Sequence, residues 1–255
     1  MGSDKISHIK IAMAFIAIAI LTVIFLCDET YDAKAETSQN LSAEPAQEST
    51  EANAMNVKNR ILEILDAQSN LIKGSDVFTV SIDNTDFYVI GQKGDEVLLF
   101  SKESIKESSF GESVVWKTSK AREYLNDADS DGYLSDRPIL KSMLVETTIS
   151  TANTYDRSGG YAKTCDSVFL LSEADFFRTA NTIDTFEDEE YTIGRNFRIS
   201  DNVRNNGTSY WLRSPKSRKN ISAAILTDGT LGGNFCEDEC MIRPAMWVDI
   251  SVRSN

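Results

Sequence analysis

The last 46 residues of the chain carry its strongest β-strand pattern, and this pattern constrains the fold more than any other feature. Residues 210–215 read Tyr-Trp-Leu-Arg-Ser-Pro, and residues 241–250 read Met-Ile-Arg-Pro-Ala-Met-Trp-Val-Asp-Ile. Between them, residues 223–226 and the residues from Leu231 onward flank Asp228-Gly229, a dipeptide that favours a tight hairpin turn. We therefore predict a β-hairpin bracketed by two further strands, the second of which closes the domain.

Tryptophan, arginine and proline recur in both of these outer strands. Such side chains can line a site. More often, Trp and Arg that alternate along a strand pack the sheet, with the guanidinium stacked or paired beneath a loop. We predict a scaffold role for Trp211, Arg213, Pro215, Arg243, Pro244 and Trp247.

Upstream of this segment, the chain alternates between strand and helix signals. Residues 77–82, 86–90 and 96–100 have β patterns with turn residues between them, which predicts a three-stranded antiparallel meander. Residues 167–171 have the pattern of a buried strand. Short helices are predicted after a cap at Thr118 or Ser119, after a capping box at Ser172, and at residues 139–144. The fold class expected is α+β, with antiparallel sheets, short helices and long loops.

The first 35 residues are typical of an export signal. Lys5 and Lys10 precede an unbroken apolar run at residues 11–27, and Ala33 and Ala35 fit a signal-peptide cleavage site after residue 35. An uncleaved membrane anchor has the same topology, and a lipid anchor on Cys27 is a third alternative. Each of these alternatives places the bulk of the chain outside the cell or on its surface, and only this N-terminal segment is expected to touch a membrane.

The domain boundaries follow from composition. Residues 36–54 contain a single large apolar side chain, Leu41, and are therefore predicted to be a disordered acidic linker. Residues 55–76 have helical spacing of apolar side chains and are predicted to form an N-terminal helix. Residues 77–255 remain as one domain.

Composition also excludes several functions. The chain has 26 Lys and Arg against 39 Asp and Glu, a net charge of −13, which argues against non-specific nucleic-acid binding. The single histidine of the chain is His8, inside the targeting segment. The exported part therefore has no Ser-His-Asp or Cys-His catalytic centre and no histidine-containing metal site.

Three cysteines lie beyond the targeting segment, at positions 165, 236 and 240. The odd number leaves at least one thiol free or paired between chains in an oxidising exterior. Cys236 and Cys240 could close a small disulfide loop, or Cys165 could pair with one of them. All three remain reduced if the source is an anaerobic Gram-positive bacterium.

An acidic stretch at residues 127–136 resembles the front half of an EF-hand calcium loop. Aspartates stand at its first, third and fifth positions and Gly132 at its sixth, but Pro138 occupies the position of the usual bidentate glutamate. The alternative is a solvated acidic turn. The ligands of a calcium ion here would be Asp127, Asp129, Asp131, the backbone carbonyl of Tyr133, and Ser135 or Asp136.

Five sequence blocks follow one another at residues 97–101, 116–126, 166–173, 210–215 and 242–247. In this order they resemble a bacterial domain family of unknown function that occurs in exported proteins, chiefly of Gram-positive gut organisms. The resemblance covers roughly residues 77–250, and the acidic stretch at 127–136 replaces an aromatic-rich helical stretch of the family. The layout of that family is similar to the C-type lectin-like fold of formylglycine-generating enzymes and hypervariable bacterial binding proteins.

This resemblance implies what the domain does. In lectin-like folds the variable loops hold the ligand, which here points to residues 181–209, 216–222 and 232–240. The function expected is a non-catalytic, surface-tethered module that binds a glycan or a protein ligand. One alternative is a formylglycine-generating-type oxidase that binds copper(I) through Cys236 and Cys240. The other alternative is a structural module of a surface assembly.

Overall fold

The predicted meander is present and starts the first of two large sheets. The computed structural model describes residues 44–70, 78–129, 131–177, 199–217 and 220–251. The targeting segment and the start of the linker lie outside the described residues, so the export signal stays a prediction. Within the described ranges, no helix is long and apolar enough to cross a membrane.

The described elements mix one long helix and four short ones with twelve strands, which confirms the α+β class. The helices are α1 (Glu44–Asn70), α2 (Lys120–Asn126), α3 (Pro138–Met143), α4 (Glu173–Phe177) and α5 (Asp201–Arg204), and a 3₁₀ turn covers Trp116–Thr118. The strands are β1 (Thr79–Ile82), β2 (Thr85–Lys93), β3 (Glu96–Ser101), β4 (Lys106–Ser109), β5 (Leu144–Val145), β6 (Thr147–Ala152), β7 (Tyr161–Asp166), β8 (Tyr210–Ser217), β9 (Ile221–Ile225), β10 (Leu231–Phe235), β11 (Glu239–Ile242) and β12 (Ala245–Asp249).

Each large sheet has five strands and is built mainly from antiparallel pairs. The first sheet has the order β1-β2-β3-β12-β5, and its β1–β2 turn uses Asp83 and Asn84, both at positive φ. The second sheet has the order β10-β9-β8-β11-β4, and its one parallel pair joins β11 to β8. Strands β6 and β7 form a separate hairpin. The hairpin predicted around Asp228-Gly229 is present as β9–β10.

The closing strand predicted at residues 241–250 is wrong as a single element. Its first part, β11, pairs with β4 in the second sheet, and its second part, β12, pairs with β3 in the first sheet. The chain passes between the sheets at Arg243-Pro244. Proline has no backbone N–H and so cannot continue a ladder, which is consistent with a break at this dipeptide.

Two further predictions differ from the structure. Helix α1 begins at Glu44, within the segment expected to be a disordered linker, and Ala54 is buried against the core. Alanine favours helix, and burial of Ala54, Ile61 and Ile64 against the core stabilises α1 by tertiary contact. The strand predicted at residues 167–171 makes a single bridge, between Phe169 and Ala245, although the segment is buried.

The capping predictions are confirmed. Ser119 caps α2, since its side chain accepts a hydrogen bond from Arg122 N. At α4, Asp175 N donates to Ser172 Oγ at 3.1 Å, and Ser172 N donates to Asp175 Oδ2 at 2.7 Å. This reciprocal pair is a capping box with aspartate in place of glutamate.

Candidate functional site

Asp166, at the end of β7, is a fully buried carboxylate surrounded by side-chain donors. Its Oδ2 accepts hydrogen bonds from Trp116 Nε1 at 2.8 Å and from Thr164 Oγ1 at 2.7 Å. Its Oδ1 accepts from Arg122 Nε at 2.6 Å. A buried charge is stable only when it is paired and hydrogen-bonded, and both oxygens here are occupied. Asp166 therefore fastens the 3₁₀ turn and α2 to β7 and is not a free catalytic group.

Asn126, at the end of α2, extends this connection. Its Oδ1 accepts hydrogen bonds from the backbone N–H groups of Ser167 and Val168, and its Nδ2 donates to Val168 O at 2.8 Å. The side-chain amide thus makes the hydrogen bonds to residues 167 and 168 that a neighbouring strand would otherwise make. This contact explains why residues 167–171 can be buried with only one β-bridge.

The tryptophan and arginine of β8 also lie in the core. Trp211 Nε1 donates to Ser108 O at 2.8 Å, which ties β8 to the edge strand β4 across the sheet. Arg213 is fully buried and pairs with Asp175 of the α4 capping box at 3.3 Å. These contacts support the scaffold interpretation of both residues.

Arg243 is buried, and its guanidinium is enclosed by aromatic rings and backbone carbonyls. The group lies 4.1 Å from the ring centroid of Phe100 and 5.0 Å from that of Tyr210. It donates to three backbone carbonyls, those of Ser101, Lys102 and Arg204, at 2.8–3.0 Å. Burial lowers the pKa of Arg243, although an arginine remains charged at any physiological pH. The side chain therefore connects β3 to the end of α5.

A polar cleft of about 310 Å³ lies between α5 and the β9–β10 turn. Arg204 holds its two sides together, because Nε donates to Gly229 O at 2.6 Å and Nη2 donates to Asp201 Oδ1 at 2.6 Å. The Arg204 carbonyl is in turn fixed by Tyr210 Oη at 2.7 Å and by Arg243. The lining residues are Asp201, Asn202, Arg204, Asn205, Asp228 and Gly229.

The cleft presents carboxylates and amides in a partly fixed arrangement. Asp228 Oδ1 accepts from the backbone N–H and the hydroxyl of Thr230, and these hydrogen bonds lower the pKa of Asp228. Asn205 packs against Gly229, where an added Cβ would lie 2.9 Å from Asn205 Cβ. At neutral pH Asp228 is an anion, so it is suited to accept hydrogen bonds and is not suited to donate a proton as a general acid.

The sequence indicates only some of the residues that line this cleft. Residues 201–205 fall within the excursion 181–209 that the lectin-like resemblance indicated, but residues 181–198 lie outside the described residues. Asp228 and Gly229 were recognised as turn residues and were not expected to line a site. The signal available was the Asp-Gly dipeptide, which is equally typical of a turn without a ligand.

The sulfurs of residues 165, 236 and 240 form no disulfide within the described part of the chain. Cys236 and Cys240 are buried, and burial raises the pKa of both thiols to about 11. Cys165 is partly exposed, and its Sγ lies 3.8 Å from Thr148 Oγ1. At neutral pH the two buried sulfurs are therefore protonated, whereas soft-metal binding and nucleophilic attack need thiolates.

In the described part of the acidic stretch, the carboxylate of Asp127 is hydrogen-bonded within the loop. Asp127 Oδ1 accepts from Asp129 N at 2.8 Å, and a Cβ on Gly132 would overlap the carbonyl of Asp127. The Tyr133 ring is buried, with the Arg137 guanidinium 4.3 Å from its centroid. Over the described part of the chain, which omits residue 130, no group of three or more acidic, His or Cys side chains is placed to hold a metal ion. Calcium binding at this turn stays a prediction.

Comparison with known proteins assigns the domain to a family. Residues 94–250, more than half of the chain, match the family described as a domain of unknown function, DUF6273. The chain belongs to this family. No curated protein and no solved structure matches it.

The DUF6273 match relates the contacts above to the sequence blocks. The matched range includes the Asp166 and Asn126 contacts, the β8 and Arg243 contacts, and every residue that lines the cleft. Helix α1 and the first two strands of the meander precede it. The DUF6273 region therefore contains both the scaffold and the candidate site.

Proposed function

We propose that this DUF6273 domain is a non-catalytic binding module that recognises a glycan through the cleft between α5 and the β9–β10 turn. The observation that carries the proposal is the chemistry of the cleft wall, which consists of carboxylate, amide and guanidinium groups and a glycine. A ligand with many hydroxyl groups offers both donors and acceptors to such a wall. The cleft volume is at the lower end of the range typical for small-molecule sites.

The charges of the cleft residues indicate which glycans fit. Two carboxylates face the cleft, and its one arginine already donates to Asp201 and to Gly229. Anionic ligands are therefore disfavoured, and neutral or basic sugars fit better. Export to the cell surface and a C-type lectin-like fold belong to the same proposal. They are supported by the N-terminal sequence pattern and by the position of α5 within the excursion where that fold holds its ligands.

A protein ligand is the second candidate, and a different loop supports it. The β6–β7 hairpin carries Tyr155 in its connecting loop, 55% exposed, and Tyr161 at the start of β7, 38% exposed. Asp156 Oδ1 accepts from Thr154 Oγ1 and from both the N–H and the hydroxyl of Ser158. Ordered loops with exposed tyrosines lose little side-chain entropy on binding and are typical of protein-recognition surfaces.

One binding experiment separates these candidates. Purified protein is applied to a glycan array with calcium or with a chelator, and Asn202→Ala is compared with Asp131→Asn and Tyr155→Ser. Asn202 lines the cleft, and its side chain makes no hydrogen bond to the described residues. We expect Asn202→Ala to weaken glycan binding about tenfold, which is the loss of one or two hydrogen bonds. The other two variants should bind as the wild type does.

Three other outcomes of the array experiment would contradict glycan binding in the cleft or add a requirement to it. Loss of binding with Tyr155→Ser alone would move the ligand to the β6–β7 loop. A calcium requirement that Asp131→Asn abolishes would support a metal site at residues 127–136. Absence of any glycan signal with the folded wild-type protein would contradict the glycan proposal and favour a protein ligand or the structural-module alternative.

The oxidase alternative requires reactive thiolates at Cys236 and Cys240, whereas the binding module does not. Because Cys236 and Cys240 are buried and protonated, we expect iodoacetamide at pH 8 to label Cys165 and leave the other two unlabelled until the protein is unfolded. Peptide mapping by mass spectrometry measures this directly. Rapid labelling of Cys236 and Cys240 in the folded protein, together with stoichiometric copper(I) uptake, would favour the oxidase over the binding module.

A further inference from the structure

Strand β10 is an edge of the second sheet and, within the described part of the chain, lacks the features that usually protect such an edge. Its sequence is Leu-Gly-Gly-Asn-Phe, without a charged side chain or a proline, and Phe235 is 47% exposed. The opposite edge, β4, carries Lys106 and Glu107. Natural sheets normally protect an edge with charges, proline, a bulge or a covering element, because unpaired backbone groups can accept another strand.

The hydrogen-bond pattern shows which backbone groups of β10 face outward. Leu226 N donates to Thr230 O, and Cys236 N donates to Asn220 O, so the even-numbered residues of β10 bond to β9. By the alternation of an antiparallel ladder, the N–H and C=O groups of Leu231, Gly233 and Phe235 point away from β9. Within the described residues the only bond to these outward groups comes from Asp238 N, which donates to Phe235 O.

These three outward residues are symmetric about Gly233. In an antiparallel pairing of β10 with a second β10, Gly233 lies opposite Gly233, and Leu231 lies opposite Phe235 at both ends. Each outward N–H then meets a carbonyl, and Phe235 O, which already accepts from Asp238 N, uses its second lone pair. Each end also gains an apolar cross-strand pair, the arrangement that stabilises sheets. The central glycines place no side chains between the two backbones.

We propose that two copies of this chain associate by antiparallel pairing of their β10 strands about a two-fold axis at Gly233. Such an interface is isologous, and it joins two five-stranded sheets into one continuous sheet. The cleft residues Asp228 and Gly229 immediately precede β10. The pair would therefore present two ligand clefts in a fixed relation, which increases avidity for a repetitive ligand.

Charge sets the conditions under which this pairing forms. The chain has a net charge of −13, and the antiparallel arrangement brings Asp228 of one copy toward the Glu237-Asp238 turn of the other. These like charges oppose association and are screened within about 10 Å at 0.1 M salt. Association should therefore increase from low to physiological ionic strength.

Cysteine pairing tests the register in the full-length protein. Both chains carry Cys27→Ser and Cys165→Ser, which remove other reactive thiols. One tagged chain also carries Leu231→Cys, and a second chain with a different tag carries Phe235→Cys. The two chains are co-expressed, and the oxidant diamide is added. Opposed Cα atoms at a hydrogen-bonded pair are about 5.5 Å apart, within the range of a disulfide. In the like pairs, Leu231→Cys with itself and Phe235→Cys with itself, the cysteines are about 13 Å apart.

The expected result is a disulfide between the two tags in the mixed pair, about tenfold more abundant than in either like pair, as the distance limit for disulfides requires. Its yield should rise with salt. Equal yields in all three pairs, no cross-tag disulfide while circular dichroism shows both variants folded, or cross-links to another protein alone would each overturn the proposal.

Discussion

Replacing Asp166 with alanine is expected to lower the free energy of unfolding by about 3–5 kcal/mol, the typical effect of removing one partner of a buried ion pair. The change removes the acceptor for Trp116 Nε1, Thr164 Oγ1 and Arg122 Nε at once. The Asp166 side chain is 0% exposed, so water cannot replace it without opening the core. Urea unfolding followed by circular dichroism measures the effect.

Asp86→Ala is the matched control for Asp166→Ala. Asp86 also pairs with a cation, Lys102, but at 3.7 Å and with both side chains more than 40% exposed. An exposed pair of this kind contributes about 0–1 kcal/mol. If Asp166→Ala and Asp86→Ala destabilise the protein equally, Asp166 does not hold α2 and β7 together as the hydrogen bonds indicate.

Arg243→Lys should lower stability by at least about 2 kcal/mol and weaken cleft binding as well, although it conserves the charge. The guanidinium donates to the carbonyls of Ser101, Lys102 and Arg204 while it stacks on Phe100. A lysine ammonium cannot reach these carbonyls in the same planar geometry or stack in the same way. Buried carbonyls lose their donors, and the end of α5, which forms one wall of the cleft, loses a fixed contact.

Tyr210→Phe provides the graded comparison for Arg243→Lys. It removes only the hydroxyl that donates to Arg204 O and leaves the Arg243 contact with that carbonyl in place. We expect it to cost about 1 kcal/mol, the typical value for one hydrogen bond. Unfolding curves and the glycan-binding measurement are compared for both variants. Unchanged cleft binding in folded Arg243→Lys would show that α5 keeps its position without this arginine.

The sequence predicts that β10 is part of a hairpin, but it does not predict that β10 lies at the edge of a sheet. The Asp-Gly turn and the flanking apolar residues predict the β9–β10 hairpin without any knowledge of the rest of the chain. The hairpin's position at the edge of the second sheet depends on which strands take the other places. Only the assembled sheet shows that β10 has no second neighbour among the described strands.

The same division applies to the candidate site. The excursion that contains α5 was expected to carry ligand contacts, and the Asp228-Gly229 turn was expected as a turn. Their meeting in one cleft depends on Arg204, which joins them, and on Arg243 and Tyr210, which hold the Arg204 carbonyl. These contacts span up to 39 residues of sequence, so no local pattern reveals them.

The sequence by itself determined the α+β class, the meander with its turns, the Asp228-Gly229 hairpin and the helix cap at Ser172. For α2 it left Thr118 and Ser119 as alternative caps. These features depend on side chains and backbone groups only a few residues apart, for which spacing is sufficient information. The tertiary structure alone decided that the closing segment divides between two sheets at Arg243-Pro244, and that Asn126 supports residues 167–168 in place of a strand. It also decided that Asp166 lies at the centre of a buried cluster. Burial and long-range hydrogen bonding depend on which elements pack together, and that choice is made by the whole core.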